Sequence, residues 1–294
     1  MRKNYCHLKL SSLIAFYLSL SLLSCKQEQQ GFITQDKSNP WVDDYSHIST
    51  MEHYKEWGTY NVHDPAIKKF GDFYYIYSTD AIFAENRNSA QESNVPIGNI
   101  QIRKSKDLVE WEFVGWAFSE IPQDAIDWVH AHNDGRGATN IWAPYVIKHG
   151  DKYRLYYSVS AFGKKTPWIG LAESDTPEGP WEQKGAVVKS NNDTPMNAID
   201  PSVIVDAQNG KIWMHYGSYF GGLYCVELDP ATGLTMNNDD LGHLIARRAN
   251  YKKDNLEAPE IIYNPQLKQY FLFVSYDPLM TTYNVRVGRS NKPE

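Results

Sequence analysis

The amino-acid sequence predicts an all-β protein of the β-propeller class, and three observations lead to that prediction. The 294-residue chain repeats one outline four times. Each repeat joins a short apolar strand, a polar turn and a second strand dense in aromatic and β-branched residues. No helical periodicity of any length competes with this pattern. All-β repeats of about 50 residues, with four strands each, are typical of propeller blades.

A proline near the start of each first strand aligns the four repeats. These prolines, spaced 79, 57 and 58 residues apart, are Pro65, Pro144, Pro201 and Pro259. Gly71-Asp72 and Asn209-Gly210 suit tight hairpins in the first and third repeats. The longer first spacing indicates an insertion at residues 119–140, which we expect to be a long loop that shapes a binding cleft.

The last repeat stops early, because Pro293-Glu294 matches Pro177-Glu178 and the second repeat continues beyond that point. A propeller must close on itself. We therefore expect a five-bladed β-propeller, of which this sequence carries four blades and lacks part of the fourth and all of the fifth.

The N-terminal residues 1–24 are predicted to be a lipoprotein signal peptide. Three basic residues within the first nine precede an apolar stretch, residues 10–23, that is short for a membrane span. The stretch ends in Leu22-Leu23-Ser24-Cys25, which resembles a bacterial lipobox, so Cys25 is expected to carry lipid. Residues 25–50 would form a polar tether and residues 51–294 the propeller domain. The alternative is an uncleaved membrane anchor.

These segments predict a secreted protein that touches the membrane only through its lipid, at the periplasmic side or the outer-membrane surface of a bacterial envelope. A net charge of −6 argues against a nucleic-acid partner, which would need a basic face. The 14% aromatic content suits a polysaccharide but does not require one. Cys225 is expected to be a buried small hydrophobe, and the protein is expected to be a monomer.

Three acidic residues lie close to the aligned prolines. Asp64 and Asp200 directly precede theirs, and Glu257 lies two residues before Pro259, where the second repeat has Trp142. Because the first strand of every blade lines the central channel of a propeller, these carboxylates are predicted to converge. Hydrolysis of a glycosidic bond needs one group that protonates the leaving oxygen and another that assists water. The alternative is that the Asp-Pro pairs only start strands or turns.

Around these residues the sequence resembles glycoside hydrolase family 43. The motifs that carry the resemblance are Val62-His63-Asp64-Pro65, Ile141-Trp142-Ala143-Pro144, Asn197-Ala198-Ile199-Asp200-Pro201 and Leu256-Glu257-Ala258-Pro259. Residues 105–118 and 197–220 are most similar to the endo-1,5-α-L-arabinanases of that family. The resemblance implies hydrolysis of internal linkages in arabinan or a related plant polysaccharide, such as the side chains of pectin.

The resemblance also implies a single inverting displacement. In that mechanism Asp64 is the general base, Glu257 is the general acid, and Asp200 raises the pKa of the acid and orients it. The carboxyl oxygens of Asp64 and Glu257 are then expected to lie roughly 6.5–9.5 Å apart, which leaves room for a water molecule.

Further residues are assigned by the same resemblance. The implied substrate contacts are Asn197, Ile199, Gly217, Ser218 and Tyr219, with Trp142 and Phe162 as residues that stack on sugar rings or only pack. No cofactor is needed for the chemistry. A structural calcium ion in the channel is implied, with a histidine ligand beyond this sequence. His130 and His132 lack an evident third ligand, and residues 278–283 depart from the arabinanase pattern.

Two alternatives remain open at this stage. One is an exo-acting α-L-arabinofuranosidase or β-xylosidase of the same family, which shares the three carboxylates and differs in the loops that close the cleft. The other is a surface glycan-binding propeller without catalysis, although a pure binder has no need of all three acids.

Overall fold

The strands of the computed structural model form antiparallel sheets that follow one another along the chain. The structure describes residues 48–79, 99–138, 140–248 and 254–294; the predicted signal peptide, Cys25 and most of the predicted tether lie outside these ranges. Within the described residues there are four sheets, each built from consecutive strands. This is the arrangement of a β-propeller with four blades, and it confirms the all-β prediction.

The blades have the following bounds. Blade 1 contains β1 (His63–Phe70), β2 (Phe73–Thr79), β3 (Asn99–Ser105) and β4 (Glu112–Phe118). Blade 2 contains β5 (Asn140–His149), β6 (Lys152–Ser160), β7 (Trp168–Ser174) and β8 (Glu182–Lys189). Blade 3 contains β9 (Ser202–Val205), β10 (Ile212–Tyr216), β11 (Leu223–Leu228) and β12 (His243–Ala246). Blade 4 contains β13 (Leu256–Asn264), β14 (Gln269–Tyr276) and β15 (Asn284–Ser290). A short 3-10 helix, Met51–His53, precedes blade 1.

The insertion at residues 119–140 is not the long loop that its sequence predicted, because it contains helix α1 (Gln123–His132). Ala125 and Val129 lie one turn apart and are both fully buried, so a narrow apolar face holds the helix on the propeller. The indole Nε1 of Trp128 donates to the carbonyl oxygen of Ser190 at 3.2 Å. A face of two small residues is too short to stand out as a periodicity in the sequence.

The two predicted hairpins differ. Phe70 pairs with Phe73, so Gly71-Asp72 forms a two-residue turn as expected, with Gly71 at φ +60°. Asn209-Gly210 also lies in a hairpin turn, but a longer one, because the last pair there joins Val205 to Ile212 across a six-residue connection in which Gly210 has a φ of +76°. Asp206 and Lys211 close that connection with a backbone hydrogen bond of 2.7 Å.

One backbone feature recurs at the start of all four inner strands. The residue before each aligned proline has a positive φ, namely +44° at Asp64, +45° at Ala143, +59° at Asp200 and +53° at Ala258. In β1, β5 and β13 the pairing register also shifts at this point, which marks a β-bulge. Left-handed backbone costs an L-residue about 1 kcal/mol, so the surrounding structure must hold these residues in place.

The amide of each later bulge finds its partner in the preceding blade. Ala143 N donates to Thr79 Oγ1 at 2.8 Å, and Asp200 N donates to Ser158 Oγ at 3.2 Å. Ala258 N donates to Asp200 Oδ2 at 3.1 Å. All three bonds join neighbouring blades, and the bond of Ala143 is buried, where an amide without a partner would be costly.

A second series of bonds between blades runs from the middle of each second strand. Each donor side chain belongs to the residue that pairs, across the strands, with the residue after an aligned proline. Each acceptor is a backbone carbonyl in the segment that follows the third strand of the next blade. The pairs are Tyr77 Oη to Pro177 O at 2.6 Å, Tyr156 Oη to Gly233 O at 3.1 Å and His215 Nε2 to Pro293 O at 2.5 Å. The equivalent position in blade 4 is Phe273, whose side chain has no donor.

The apolar core lies between neighbouring blades. One cluster includes Tyr77 and Ile102 of blade 1 with Val146 of blade 2, and a second includes Leu171 of blade 2 with Met214 of blade 3. The predicted burial of Cys225 is confirmed. Among the residues the structure describes, no helix has the length and apolar character needed to cross a membrane.

The strained bulge predicts an unusual response to glycine. We expect Ala143→Gly to leave the free energy of unfolding unchanged or to raise it slightly. Glycine adopts the positive φ of this position without strain, and this gain offsets the greater conformational entropy that glycine gives the unfolded chain. Ala66→Gly, in regular strand on β1, should lower it by about 1 kcal/mol. Urea unfolding of both variants measures the difference. Equal losses would contradict strain at the bulge.

His215 predicts a pH-dependent stability. Burial lowers the pKa of His215 to about 4, only partly opposed by its bond to Pro293. The unfolded chain binds this proton near pH 6.5, so the native state loses stability as pH falls from 6.5 towards 4, by about 3 kcal/mol in all. Urea unfolding between pH 4 and 7 should show a smaller decline for His215→Gln than for the wild type. Parallel curves would refute this contribution.

Candidate active site

The structure brings the three predicted carboxylates together at the bulged ends of the inner strands. Asp64 lies on β1 and is exposed; Asp200 precedes β9 and Glu257 lies on β13, and both are half-buried. Burial raises the pKa of Asp200 well above its ordinary value, and the negative charges of Glu257 and Asp64 raise it further. Blades 1, 3 and 4 therefore place their acids close enough to repel one another.

The contact between blades 1 and 2 orients Asp64. Thr79 Oγ1 donates to Asp64 Oδ2 at 2.5 Å, and the same hydroxyl oxygen accepts the bulge amide of Ala143. The hydroxyl hydrogen is thus committed to the carboxylate, because the amide occupies its acceptor side. Since Asp64 is exposed, its carboxylate remains accessible to water.

Glu257 accepts a hydrogen bond at each of its two oxygens. Ser218 Oγ donates to Oε2 at 2.6 Å, and Tyr283 Oη donates to Oε1 at 2.7 Å. Ser218 comes from the loop after β10, whereas Tyr283 directly precedes β15. Two donors from separate segments restrict both the position and the plane of the carboxylate.

The loop at residues 217–222 forms one wall of the site. Asn197 Nδ2 donates to the carbonyl of Ser218 at 3.0 Å, and Gly217 N donates to the carbonyl of Ile199 at 2.7 Å. Tyr219 N donates to the carbonyl of Leu256, the residue before Glu257, at 2.8 Å. Five of the predicted substrate contacts thus belong to one hydrogen-bonded unit beside Glu257.

The same loop requires glycine at one point. Gly221 has a φ of +125°, and a Cβ there would lie 1.8 Å from the carbonyl oxygen of Pro195. Its amide donates to Asp254 Oδ2 at 3.0 Å, while Arg247 Nε binds Oδ1 of the same carboxylate at 2.9 Å. The loop is therefore held by close packing against Pro195 and by its hydrogen bond to Asp254.

The two aromatic candidates are placed differently. Trp142 is half-buried on β5, opposite Ser158, at the position of its blade that Glu257 occupies in blade 4. Phe162 follows β6 and is 79% exposed. None of the hydrogen bonds or ring contacts among the described residues joins Phe162 to the carboxylates, so its stacking role stays a prediction.

Metal binding finds no support in the histidines of α1. His132 Nδ1 bonds the carbonyl of Trp128 at 2.8 Å, and the two rings lie 4.0 Å apart between centroids. Across the described part of the chain, no group of three His, Cys, Asp or Glu side chains is arranged to hold a metal ion. The calcium ion of the channel stays a prediction.

Sequence reasoning missed three residues that hold the acids. Thr79 and Ser158 occupy the same register position in blades 1 and 2, opposite His63 and Trp142. Alignment of the repeats could have identified both residues, because each of these two repeats has a hydroxyl residue at this position of its second strand. Tyr283 has no such signal, because it lies in the segment at residues 278–283 that departs from the arabinanase pattern.

The chain is similar to known proteins over most of its length. The model of glycosyl hydrolases family 43 matches residues 58–294. The extracellular endo-α-(1→5)-L-arabinanase of Thermotoga petrophila is 34% identical over 261 residues, which cover 79% of this chain and 49% of that protein. The extracellular exo-α-(1→5)-L-arabinofuranosidase of Cellvibrio japonicus is 34% identical over 258 residues, which cover 79% of this chain and 65% of that protein.

A solved structure shows the same similarity. The α-L-arabinanase of Cellvibrio cellulosa in complex with arabinohexaose superimposes with a TM-score of 0.63 at 31% identity, covering 79% of this chain and 71% of that one. The chain spans about half the length of the Thermotoga relative and about two thirds of the Cellvibrio relative.

The charge cluster predicts a measurable change at Asp200. We expect Glu257→Gln to lower the pKa of Asp200, because removal of a nearby negative charge favours the ionised form, yet the pKa should stay above its ordinary value because burial remains. Asp64→Asn should act in the same direction and more weakly. Carbon-13 NMR titration of labelled aspartate carboxyls measures this. Glu260→Gln serves as the control, and an Asp200 titration unmoved by Glu257→Gln would refute the cluster.

Proposed function

The chain belongs to glycoside hydrolase family 43, and on that premise we propose that it hydrolyses internal α-1,5-L-arabinofuranosyl linkages of arabinan. The observation that carries the proposal is the meeting of three carboxylates beside the loop at residues 217–222, where burial raises the pKa of Asp200 and the charges of Glu257 and Asp64 raise it further. The relatives named above are an endo-α-(1→5)-L-arabinanase and an exo-α-(1→5)-L-arabinofuranosidase by their names, which supports this substrate class.

The proposed mechanism gives each acid one role. Asp64, exposed and oriented by Thr79, accepts a proton from the attacking water. Glu257 gives its proton to the glycosidic oxygen of the leaving chain. Asp200 modulates the acid, because the mutual repulsion of the three carboxylates favours a state of the cluster that retains one proton near neutral pH, and that shared proton is available to Glu257. A general acid requires that proton.

Inversion of configuration is part of the same proposal. A water molecule held by Asp64 attacks the anomeric carbon from the face opposite Glu257, so the carboxyl oxygens should lie roughly 6.5–9.5 Å apart. The first product then carries the opposite anomeric configuration to the substrate. Proton NMR during the first turnovers distinguishes this outcome from retention.

The placement of the protein is proposed as well. The apolar stretch at residues 10–23 followed by Cys25 supports secretion with a lipid anchor, and residues 25–50 would act as the tether. The relatives' names describe them as extracellular. A fifth blade, a channel calcium ion and a monomeric state complete the proposal on the strength of the family resemblance.

One observation favours an exo-acting enzyme as a second candidate. An exo-α-(1→5)-L-arabinofuranosidase is as similar in identity, at 34%, as the endo-arabinanase. The two activities share the carboxylates and differ in whether loops block one end of the cleft. The size of the first products therefore separates them.

The deciding experiment incubates the full-length protein with debranched linear arabinan and follows product size over time. Early release of mixed oligosaccharides supports endo action, whereas arabinose alone supports the exo enzyme. Glu257→Gln should lower kcat by about 10²- to 10⁴-fold, because the leaving oxygen then departs without a proton. Glu227→Gln, on β11, the third strand of blade 3, is the matched control. Absence of products from the wild type would favour another glycan or a binding role.

A further inference from the structure

We propose that Tyr283 is a positioning residue that, together with Ser218, holds Glu257 in the orientation needed for proton transfer. This inference rests on the proposed role of Glu257 as the general acid. It assigns a function to the segment at residues 278–283, which neither the repeat nor the family resemblance explains.

The geometry is that of a two-point clamp. Tyr283 Oη lies 2.7 Å from Oε1 of Glu257, and Ser218 Oγ lies 2.6 Å from Oε2. A glutamate side chain has three rotatable bonds, and the last of them is broad in its preference. One hydrogen bond leaves the carboxyl plane free to turn about the bonded oxygen. A second bond on the other oxygen removes that freedom.

Tyr283 remains a neutral phenol throughout the pH range in which the enzyme would act. Burial raises the pKa of Tyr283 well above its usual range, and the hydrogen bond and negative charge of Glu257 add to that effect. The hydroxyl therefore donates to Glu257 when the acid is ionised. Its oxygen can accept a hydrogen bond when the acid is protonated. The clamp thus persists in both states of the catalytic cycle.

The segment that carries Tyr283 is anchored at both ends. Asp277 binds Arg248 Nη1 at 2.5 Å and accepts a hydrogen bond from Asn284 Nδ2 at 3.1 Å. These contacts bring the two residues that flank the segment together. They close the segment at its base, so Tyr283 lies on an anchored loop.

The segment is also joined to the opposite wall of the site. Tyr219 Oη donates to the carbonyl of Asp277 at 3.4 Å and accepts the amide of Leu279 at 3.3 Å. Tyr219 belongs to the same loop as Ser218. Both arms of the clamp therefore belong to one connected structure, so Ser218 and Tyr283 keep their separation when the acid loses or gains its proton.

The test compares two substrates that differ in their need for an acid. Linear α-1,5-arabino-oligosaccharides have a poor leaving group that must be protonated, whereas a dinitrophenyl glycoside of arabinotriose has a leaving group that departs unprotonated. We expect Tyr283→Phe to lower kcat about ten- to hundredfold on the oligosaccharides, with KM little changed, and to act nearly as the wild type on the aryl glycoside. Tyr74→Phe removes a hydroxyl that accepts from Lys69 Nζ at 3.5 Å beside the turn between β1 and β2, and should match the wild type on both.

Several outcomes would overturn the assignment. Equal losses on both substrates would show a merely structural role, and no loss on either would show that Ser218 alone suffices. Asp277→Asn, which weakens the anchor without touching Glu257, should reproduce the same selectivity with a smaller loss, so the test stands even if Tyr283→Phe folds poorly. Failure of the proposed function is distinct, because the wild type itself would then cleave neither substrate.

Discussion

The bulge before each aligned proline is the constraint on which the rest of the structure depends. Its residue has a positive φ that ordinary side chains avoid, and in three of the blades its amide bonds to a group on the preceding blade. An isolated blade would lack that partner. The bulge is therefore a property of the assembled propeller, and the strain in one blade is offset by contact with the next.

This arrangement couples stability to chemistry. Asp64 and Asp200 are themselves bulge residues, so the backbone conformation at the contacts between blades also determines where their carboxylates lie in the cluster. Asp200 has a further task, because its carboxylate accepts the amide of Ala258 while its charge interacts with Glu257. A substitution at Asp200 removes a contact between blades as well as a charge, so a loss of activity there combines two physical effects.

The second series of bonds between blades, which starts from the second strands, has a different role. Tyr77, Tyr156 and His215 occupy one register position and all donate to the next blade, although their side chains differ in chemistry. What the position requires is a buried ring with one donor at its tip. Such a ring fills the space between two sheets and satisfies a turn carbonyl that would otherwise be buried without a partner.

By itself, the sequence determined the strands, the repeat and the relation of the acids to the prolines. Those features are local, since the alternation of side chains along a strand and the residue preferences of turns act over a few residues. Only the tertiary structure decided which groups hold the acids. Thr79 meets Ala143, Ser158 meets Asp200 and Tyr283 meets Ser218 across Glu257 because sheets pack face to face, and helix α1 forms because that packing gives it a surface to cover. No local pattern encodes a partner on another blade.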